Sequence, residues 1–427
     1  MVKYDLITDS DVVPKASLAQ RSLSPLTAGG IRQSMFTLIS AAIGGGILCL
    51  PYVFSLVGVG MGILLLCIAA VLAYISILML LLCAQRSGQF SYGRLVSFST
   101  ELHYAGPFLD IVSILFSTGV IIAYFVFLGD FVPSVLHVLG LSAPRTACIL
   151  ICCVLATPLA LPAKLSALQY LTPISTFSLL MTAAVVAYRA PYMRDQLEPS
   201  VAELDVFIFS KSVFKAFAIV ISSFICHTNV VSVAGELVKP TDERAEKIAV
   251  RAALVQLVLY VLIGSSGYAS FSKITQQNFL KGYSDSDPLI TLCRVMLSFS
   301  IFFGLPLNAN PTAKAVVNLV QAFKSEKREP LLPATPSDHT DPQRTLRVSA
   351  GITALVVGAL VSLAVPGIAD VIGILGGSLG TLIMLVFPAV IYSKVYSDEM
   401  HTTANRVMVG SLLAAATLCF LSVLLTL

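Results

Sequence analysis

The chain has 427 residues, 56% of them apolar and 12% charged, and its net charge is +4. Soluble domains carry about 25% charged residues. This composition, with a mean hydropathy of +0.88, therefore excludes an ordinary soluble enzyme, a nucleic-acid binder, a coiled coil and a disordered scaffold. At about 20 residues per membrane span, it leaves room for roughly ten to twelve helices in lipid and no separate soluble domain.

Residues 1–30 are polar, with Asp5, Asp9 and Asp11 among Lys3, Lys15 and Arg21. They lack the apolar core of a signal peptide and read as a disordered cytosolic tail. Apolar runs follow at 34–57, 60–84, 107–138, 145–162, 166–189, 211–237, 245–271, 288–323, 346–366, 368–393 and 406–426, which predicts eleven transmembrane helices. Run 107–138 is long, and Pro133 is expected to kink its end. Run 288–323 is also long, and its second half holds Pro306, Asn308, Asn310, Pro311 and Lys314. A span to residue 305 with an interfacial continuation is predicted there. Residues 324–345, rich in Pro and charge, read as a cytosolic linker.

With the N-terminus inside, the inner segments hold about 19 basic residues and the outer ones about 7, a strong positive-inside bias. The bias supports the count of eleven, because one miscounted helix would invert every later loop. All nine cysteines lie in apolar runs, so no ectodomain disulfide framework is visible. No residue pattern for a metal site, a cofactor or a nucleic acid appears.

Two spans carry breaks. Gly44-Gly45-Gly46 sits in the middle of span 1, with Leu50-Pro51 after it. Each Gly costs about 1 kcal/mol in a helix interior relative to Ala, and unwound backbone in lipid must find partners. A broken helix that lines a cavity meets this need through a substrate or ion, with the N-terminal end of the resumed helix favouring an anionic group. Close packing of small residues is the alternative reading. Span 6 holds Ser222-Ser223-Phe224-Ile225-Cys226-His227-Thr228-Asn229, a polar cluster at mid-membrane, followed by Gly235-Glu236. A histidine satisfied by neighbouring carbonyls is the plain alternative at His227. The breaks fall near the first helix of each half of the chain. That placement points to an inverted-repeat transporter, with repeats at 31–190 and 207–394, an extra helix at 405–426, and a substrate site at the midplane.

At these residues the sequence resembles a known family. Ala42-Ile43-Gly44-Gly45-Gly46-Ile47-Leu48-Cys49-Leu50-Pro51-Tyr52 is similar to the span 1 signature of the amino acid/auxin permease family, with Gly45 in place of the usual Ser or Ala. Phe224-Ile225-Cys226-His227, then Glu236-Leu237 and Pro240-Thr241, resembles its span 6 pattern. Arg294, Pro306, Ser91-Tyr92 and Tyr124 sit as in its sodium-coupled neutral amino acid transporter branch. The resemblance covers residues 31–426. It implies an all-α, leucine-transporter-type fold of five plus five helices with one added, and transport of an amino acid, a neutral one, through the bilayer. It further implies that backbone groups of Gly44, Gly45, Gly46 and Ile47 bind the substrate carboxylate. Carbonyls around Ser222, Ser223 and Cys226, beside His227, would bind the ammonium, and Tyr124 would close over the substrate.

The departures concern the coupling ion. Sodium-coupled relatives have Asn where this chain has Ser40, and Thr among the positions held here by Phe302, Phe303, Gly304 and Leu305. Phe and Gly offer no side-chain oxygen, and sodium needs oxygen ligands. Proton coupling or uncoupled transport is therefore expected over sodium, with His227 as the proton-relay candidate. Ser298 and Ser300, one to two turns earlier, are the sodium candidates in another register. The host membrane is the plasma membrane or a vacuolar or lysosomal one. A membrane sensor that keeps the transporter fold and signals through its cytosolic segments is the rival reading, and no acid–base–nucleophile set points to an enzyme.

Overall fold

A computed structural model describes residues 26–43, 45–160, 172–324, 343–365 and 368–426. The tail 1–25 and most of the linker, 325–342, lie outside the described residues, as does Gly44. Every regular element among the described residues is helical.

Span 1 is broken into α1 (Ile31–Ala42), α2 (Gly45–Leu48) and α3 (Leu50–Val57). There follow α4 (Val59–Ser87), the short α5 (Tyr92–Thr100), α6 (Ala105–Val138), α7 (Arg145–Ala156) and α8 (Thr172–Asp195). Span 6 is split into α9 (Ser212–Ser223) and α10 (His227–Glu236). Next come α11 (Asp242–Phe271), α12 (Pro288–Lys324), α13 (Arg344–Ser362), α14 (Ala369–Leu375), α15 (Phe387–Val395) and α16 (Thr403–Thr426). Among the described residues nine helical segments are long and apolar enough to cross a membrane, and Arg145–Leu159 is a shorter apolar one.

The apolar residues divide between core and lipid along each helix. On α4, Leu64, Ile68 and Val71 are exposed at i, i+4 and i+7 while Leu66, Ala69, Ala73 and Ile77 are buried. An exposed apolar stripe of this kind is stable against acyl chains and costly against water. Small residues let the buried faces close. A Cβ on Gly264 of α11 would stand 2.6 Å from the Phe54 ring, and one on Gly62 of α4 would stand 2.8 Å from it. Phe54 of α3 is thus clamped between two glycines on two long helices. The turn from α3 to α4 needs Gly58 at φ +84°, where a Cβ would meet the Val206 backbone. The turn is paired to the segment before α9 by Val59 N to Asp205 O (2.9 Å), Gly60 N to Val206 O (2.8 Å) and Ile208 N to Val57 O (2.8 Å).

One expectation for a long run changes. Run 288–323 is one continuous helix, not a span with an interfacial continuation, although Pro306 and Pro311 lie inside it. Proline removes the donor to the carbonyl four residues back. For Pro311 that carbonyl is Leu307 O, and Asn229 Nδ2 of α10 donates to it at 3.4 Å. A neighbouring helix supplies the missing donor, as broken ladders in lipid require. Pro133 likewise lies within α6, which continues to Val138. The sequence did not foretell the two π-helical turns, Gly376–Gly380 and Leu382–Val386, between α14 and α15. They are held by Thr381 Oγ1 donating to Gly376 O at 2.9 Å.

Arg294, the basic residue inside a span, ties α12 to the loop before it. Its side chain is 3% exposed. It donates to Leu280 O and Tyr283 O at 2.9 Å each, to Ser134 Oγ of α6 at 2.7 Å, and to the Asp285 carboxylate. Arg189 of α8 pairs with Asp287 at 2.8 Å in the same loop. Burial alone raises the Asp287 carboxyl, but hydrogen bonds from Arg189 and the Ile290 and Leu289 amides outweigh it and hold it below the usual carboxylate range.

Arg294→Met strips the donor from two carbonyls, at about 1–3 kcal/mol for each one left unsatisfied. It is expected to lower the thermal midpoint of the detergent-solubilised protein. Because the folded-state pKa of Asp287 is depressed, its contribution to stability is present above about pH 4 and is lost as pH falls through the depressed value. Asp287→Asn should flatten that acid-side loss in midpoints measured across pH.

Candidate functional site

The two chain breaks meet. α1 ends at Ala42, and Ile43 turns extended, with φ −64° and ψ 105°. That turn sends the Ile43 carbonyl out of the helix, where the Tyr124 hydroxyl of α6 donates to it at 2.7 Å. The chain becomes helical again at Gly45, tightens at Cys49 (N to Gly46 O, 3.1 Å) and continues as α3. In span 6, α9 stops at Ser223 and α10 starts at His227, with Cys226 at the N-cap. The Tyr260 hydroxyl of α11 donates to Ser223 O at 2.8 Å, and the Tyr260 ring meets the Phe224 ring edge-on at 4.9 Å. Each break therefore has one buried tyrosine from a neighbouring helix on a carbonyl that the break frees.

Gly46 is the point of contact. A Cβ there would stand 2.9 Å from Ser223 Cα and would overlap the Ser223 hydroxyl. Only glycine lets the resumed helix of span 1 lie against the end of α9. Beside this contact is a cavity of about 30 Å³ lined by Ala42, Gly46, Tyr124, Ser222, Ile225 and Asn308, among others. A water needs about 10–15 Å³ of such space, so the cavity has room for about two at most. No charged side chain among the described residues lines it. The electrostatics there come from peptide groups, the two hydroxyls and the Asn308 amide.

Of the residues expected at the site, Gly46, Tyr124 and Ser222 line the cavity. Ile47, Ser223 and Cys226 are buried beside the breaks and do not line it. Gly45 is the first residue of α2, and Gly44 is not described. His227 is fully buried and faces α4, with Nε2 2.7 Å from Ser76 Oγ. The Ser76 hydroxyl donates to Leu72 O at 2.8 Å. The histidine Nε2–H is then the donor to Ser76, and Nδ1 has no hydrogen-bond partner among the described residues. Ser40 is buried on α1. Ser298 and Ser300 are on α12, away from the cavity lining, and their hydroxyls have no partner among the described residues.

Three contributors were not singled out from sequence. Tyr260 gives no local signal, since a tyrosine in a span usually reads as packing. Asn308 was noted only as part of an irregular run. Its Nδ2 donates to Gly304 O at 3.1 Å, and Gly304 itself makes room for the Tyr124 ring, 2.6 Å from where its Cβ would be. The glycines of the π-helical turns are the third. A Cβ on Gly376 would stand 2.5 Å from Ser222 Cβ, so this segment packs against the span 6 break.

Comparison with known proteins gives the family and the fold. The profile of the family described as transmembrane amino acid transporter protein matches residues 27–427. The putative amino acid transporter AAT1 of Toxoplasma gondii is 32% identical over 72% of this chain and 43% of its own length. The chain thus spans less than half of that relative. The Saccharomyces cerevisiae vacuolar amino acid transporter 6 is 25% identical over 88% of this chain and 92% of its own. Among solved structures, MhsT in complex with L-phenylalanine superposes with a TM-score of 0.56 at 12% identity, over 95% of this chain and all of that one. A nucleobase-cation-symport-1 family transporter in a closed conformation superposes with a TM-score of 0.55 at 13% identity, over 94% and 95%. These two likenesses show a shared fold. From the family match, the chain belongs to the transmembrane amino acid transporter family.

Proposed function

We propose that this protein is a secondary transporter that moves amino acids, neutral ones, across a membrane by alternating access. The observation that carries the proposal is the contact of two helix breaks at Gly46 and Ser223 beside a cavity that no charged side chain among the described residues lines. An amino acid brings one carboxylate and one ammonium. The N–H groups at the start of α2, at Gly45, Gly46 and Ile47, suit the carboxylate. The carbonyls around Ser222, Ser223 and Cys226 suit the ammonium, because each carbonyl has a second lone pair beyond the bond it already accepts. The small cavity supports a cycle in which the broken helices part to admit substrate and close around it.

In this reading the broken span 1, the nine long segments and Arg145–Leu159 give eleven spans. Residues 31–190 and 207–394 form two inverted five-helix repeats, 405–426 is an added helix, and 1–30 and 324–345 are cytosolic. The vacuolar name of the yeast relative supports a vacuolar or lysosomal membrane, beside the plasma membrane. Proton-coupled or uncoupled transport is favoured over sodium. Phe302 and Phe303 pack edge-on at 5.3 Å, and Phe303 packs against Phe299 at 4.3 Å. An aromatic cluster therefore occupies the stretch where sodium-coupled relatives carry hydroxyls. His227, with its unpartnered Nδ1, is one proton candidate, and Ser40, Ser298 and Ser300 remain the sodium candidates.

Uptake of a pooled set of labelled amino acids into proteoliposomes, with sodium and pH gradients varied independently, tests the reading. Accumulation driven by an inward proton gradient and indifferent to sodium is expected, and a strict sodium requirement would overturn the coupling. Gly46→Leu should abolish uptake while the protein still inserts and elutes as a single species; wild-type uptake would refute the span 1 site. Tyr124→Phe removes one hydrogen bond, worth about 0.5–1.5 kcal/mol. A loss of uptake efficiency of about threefold to tenfold is expected, read from initial rates at several substrate concentrations.

A further inference from the structure

A second polar site lies away from the cavity at the helix breaks. Asp110, six residues into α6, is 5% exposed. It lines a separate cavity of about 410 Å³, along with Arg94 and Ser97 of α5, His103 of the α5–α6 turn, and Asn318 and Gln321 of α12. α5 is pressed onto the carboxylate. A Cβ on Gly93 would stand 2.5 Å from both of its oxygens, so a side chain there would displace the carboxylate.

The carboxylate is poorly compensated. Its one hydrogen bond among the described residues comes from Asn318 Nδ2 to Oδ1, long at 3.4 Å, and the same nitrogen donates to Ser91 Oγ at 2.8 Å. Arg94 donates to Gln321 at 2.7 Å and acts on the Asp110 carboxylate only through its charge, and no described cation is close enough to form an ion pair with Asp110. The charged and titratable groups on the elements around it are few. α5 presents Arg94 and the turn presents His103. α12 presents the neutral Asn318 and Gln321 at this cavity, while its Lys314 bonds Ser232 of α10 and feels the charges of Glu236 of α10 and Arg347 of α13. A carboxylate buried within a span without a paired cation is costly in its charged form, and such groups mark ion and proton paths.

We propose that Asp110 binds and releases the transported proton at this membrane face, with the 410 Å³ cavity as its aqueous port. The proposal rests on the transport reading above and its proton coupling. The proton comes from water in the cavity, sits on a carboxylate oxygen and returns to water, so no other reactant is involved. A metal cation is disfavoured because the Arg94 guanidinium, charged at any working pH, lines the same cavity. The amide facing the carboxylate also presents a donor to it. Protonation changes what Asp110 offers α12. The carboxylate accepts from Asn318, whereas the acid can donate to it. The same two helices reach the central cavity. Tyr124 is 14 residues along α6, about 21 Å away, and Asn308 is 10 residues back along α12, about 15 Å away.

The test is accumulation of labelled amino acid in proteoliposomes under an imposed pH gradient, with a pH-sensitive dye reporting proton movement. Wild type should accumulate substrate and move protons with it. Asp110→Asn should lose both the gradient-driven accumulation and the dye signal, a fall of about tenfold or more, while Asp110→Glu restores them. If the wild type transports but ignores the pH gradient, proton coupling itself fails and the proposal with it. If wild type and Asp110→Asn respond alike, only the role of Asp110 is overturned. If Asp110→Asn does not fold, Asn318→Leu decides. It removes the one hydrogen bond to the carboxylate and should shift the midpoint of uptake against pH, and an unchanged midpoint would overturn the proposal.

Discussion

The structure depends on one constraint: peptide groups within a membrane must have partners. Two spans in this protein are interrupted, and each interruption frees a carbonyl. Tyr124 reaches across from α6 to Ile43 O, and Tyr260 from α11 to Ser223 O. Both rings are fully buried. Tyrosine suits the task, because its ring belongs in an apolar interior and its hydroxyl supplies the missing donor. The same solution appears at Pro311, where Asn229 donates to the carbonyl that proline leaves open. These bonds let irregular backbone persist beside the cavity, where dipoles rather than charged side chains would meet a zwitterion.

Glycine sets how closely the elements approach. Gly46 brings span 1 onto Ser223, Gly304 admits the Tyr124 ring, Gly376 seats the π-helical turn against Ser222, and Gly62 and Gly264 clamp Phe54. In lipid, helix association rests on close packing, since apolar contact with a neighbour and with acyl chains is nearly equivalent. The glycines at Gly46 and Gly304 therefore shape the cavity region and at the same time pack its helices. The end of the bundle at the loop before α12 is fastened differently, through Arg294 and Arg189 on that loop.

The long helices link the two polar regions. α6 carries Asp110 near one end and Tyr124 further along, and α12 carries Asn318 and Asn308 in the same order from that end. A rigid helix pair that contributes to both cavities can transmit a change at one to the other.

The sequence by itself determined the solvent, the number of apolar runs and the two breaks. Apolar content fixes the first two because lipid tolerates so few charges. The glycine triplet and the Ser222–Asn229 cluster mark the breaks because both features disfavour a continuous helix in lipid. Local reading misjudged the run at 288–323, where the prolines suggested an interface. The deciding partner, Asn229, is 78 residues away from the carbonyl it serves. Tyr260 and Gly376 carry no local signal, and Asn308 only that of an irregular run, for the same reason, since their roles arise only when distant helices touch. His227 shows the limit most plainly. Its sequence position marks it as a buried polar residue at a break, but the packing of α10 on α4 turns its ring toward Ser76 and leaves the cavity to Tyr124, Ser222 and Asn308. Span and break follow from composition along the chain, whereas the direction of each polar side chain is set by which helices pack together.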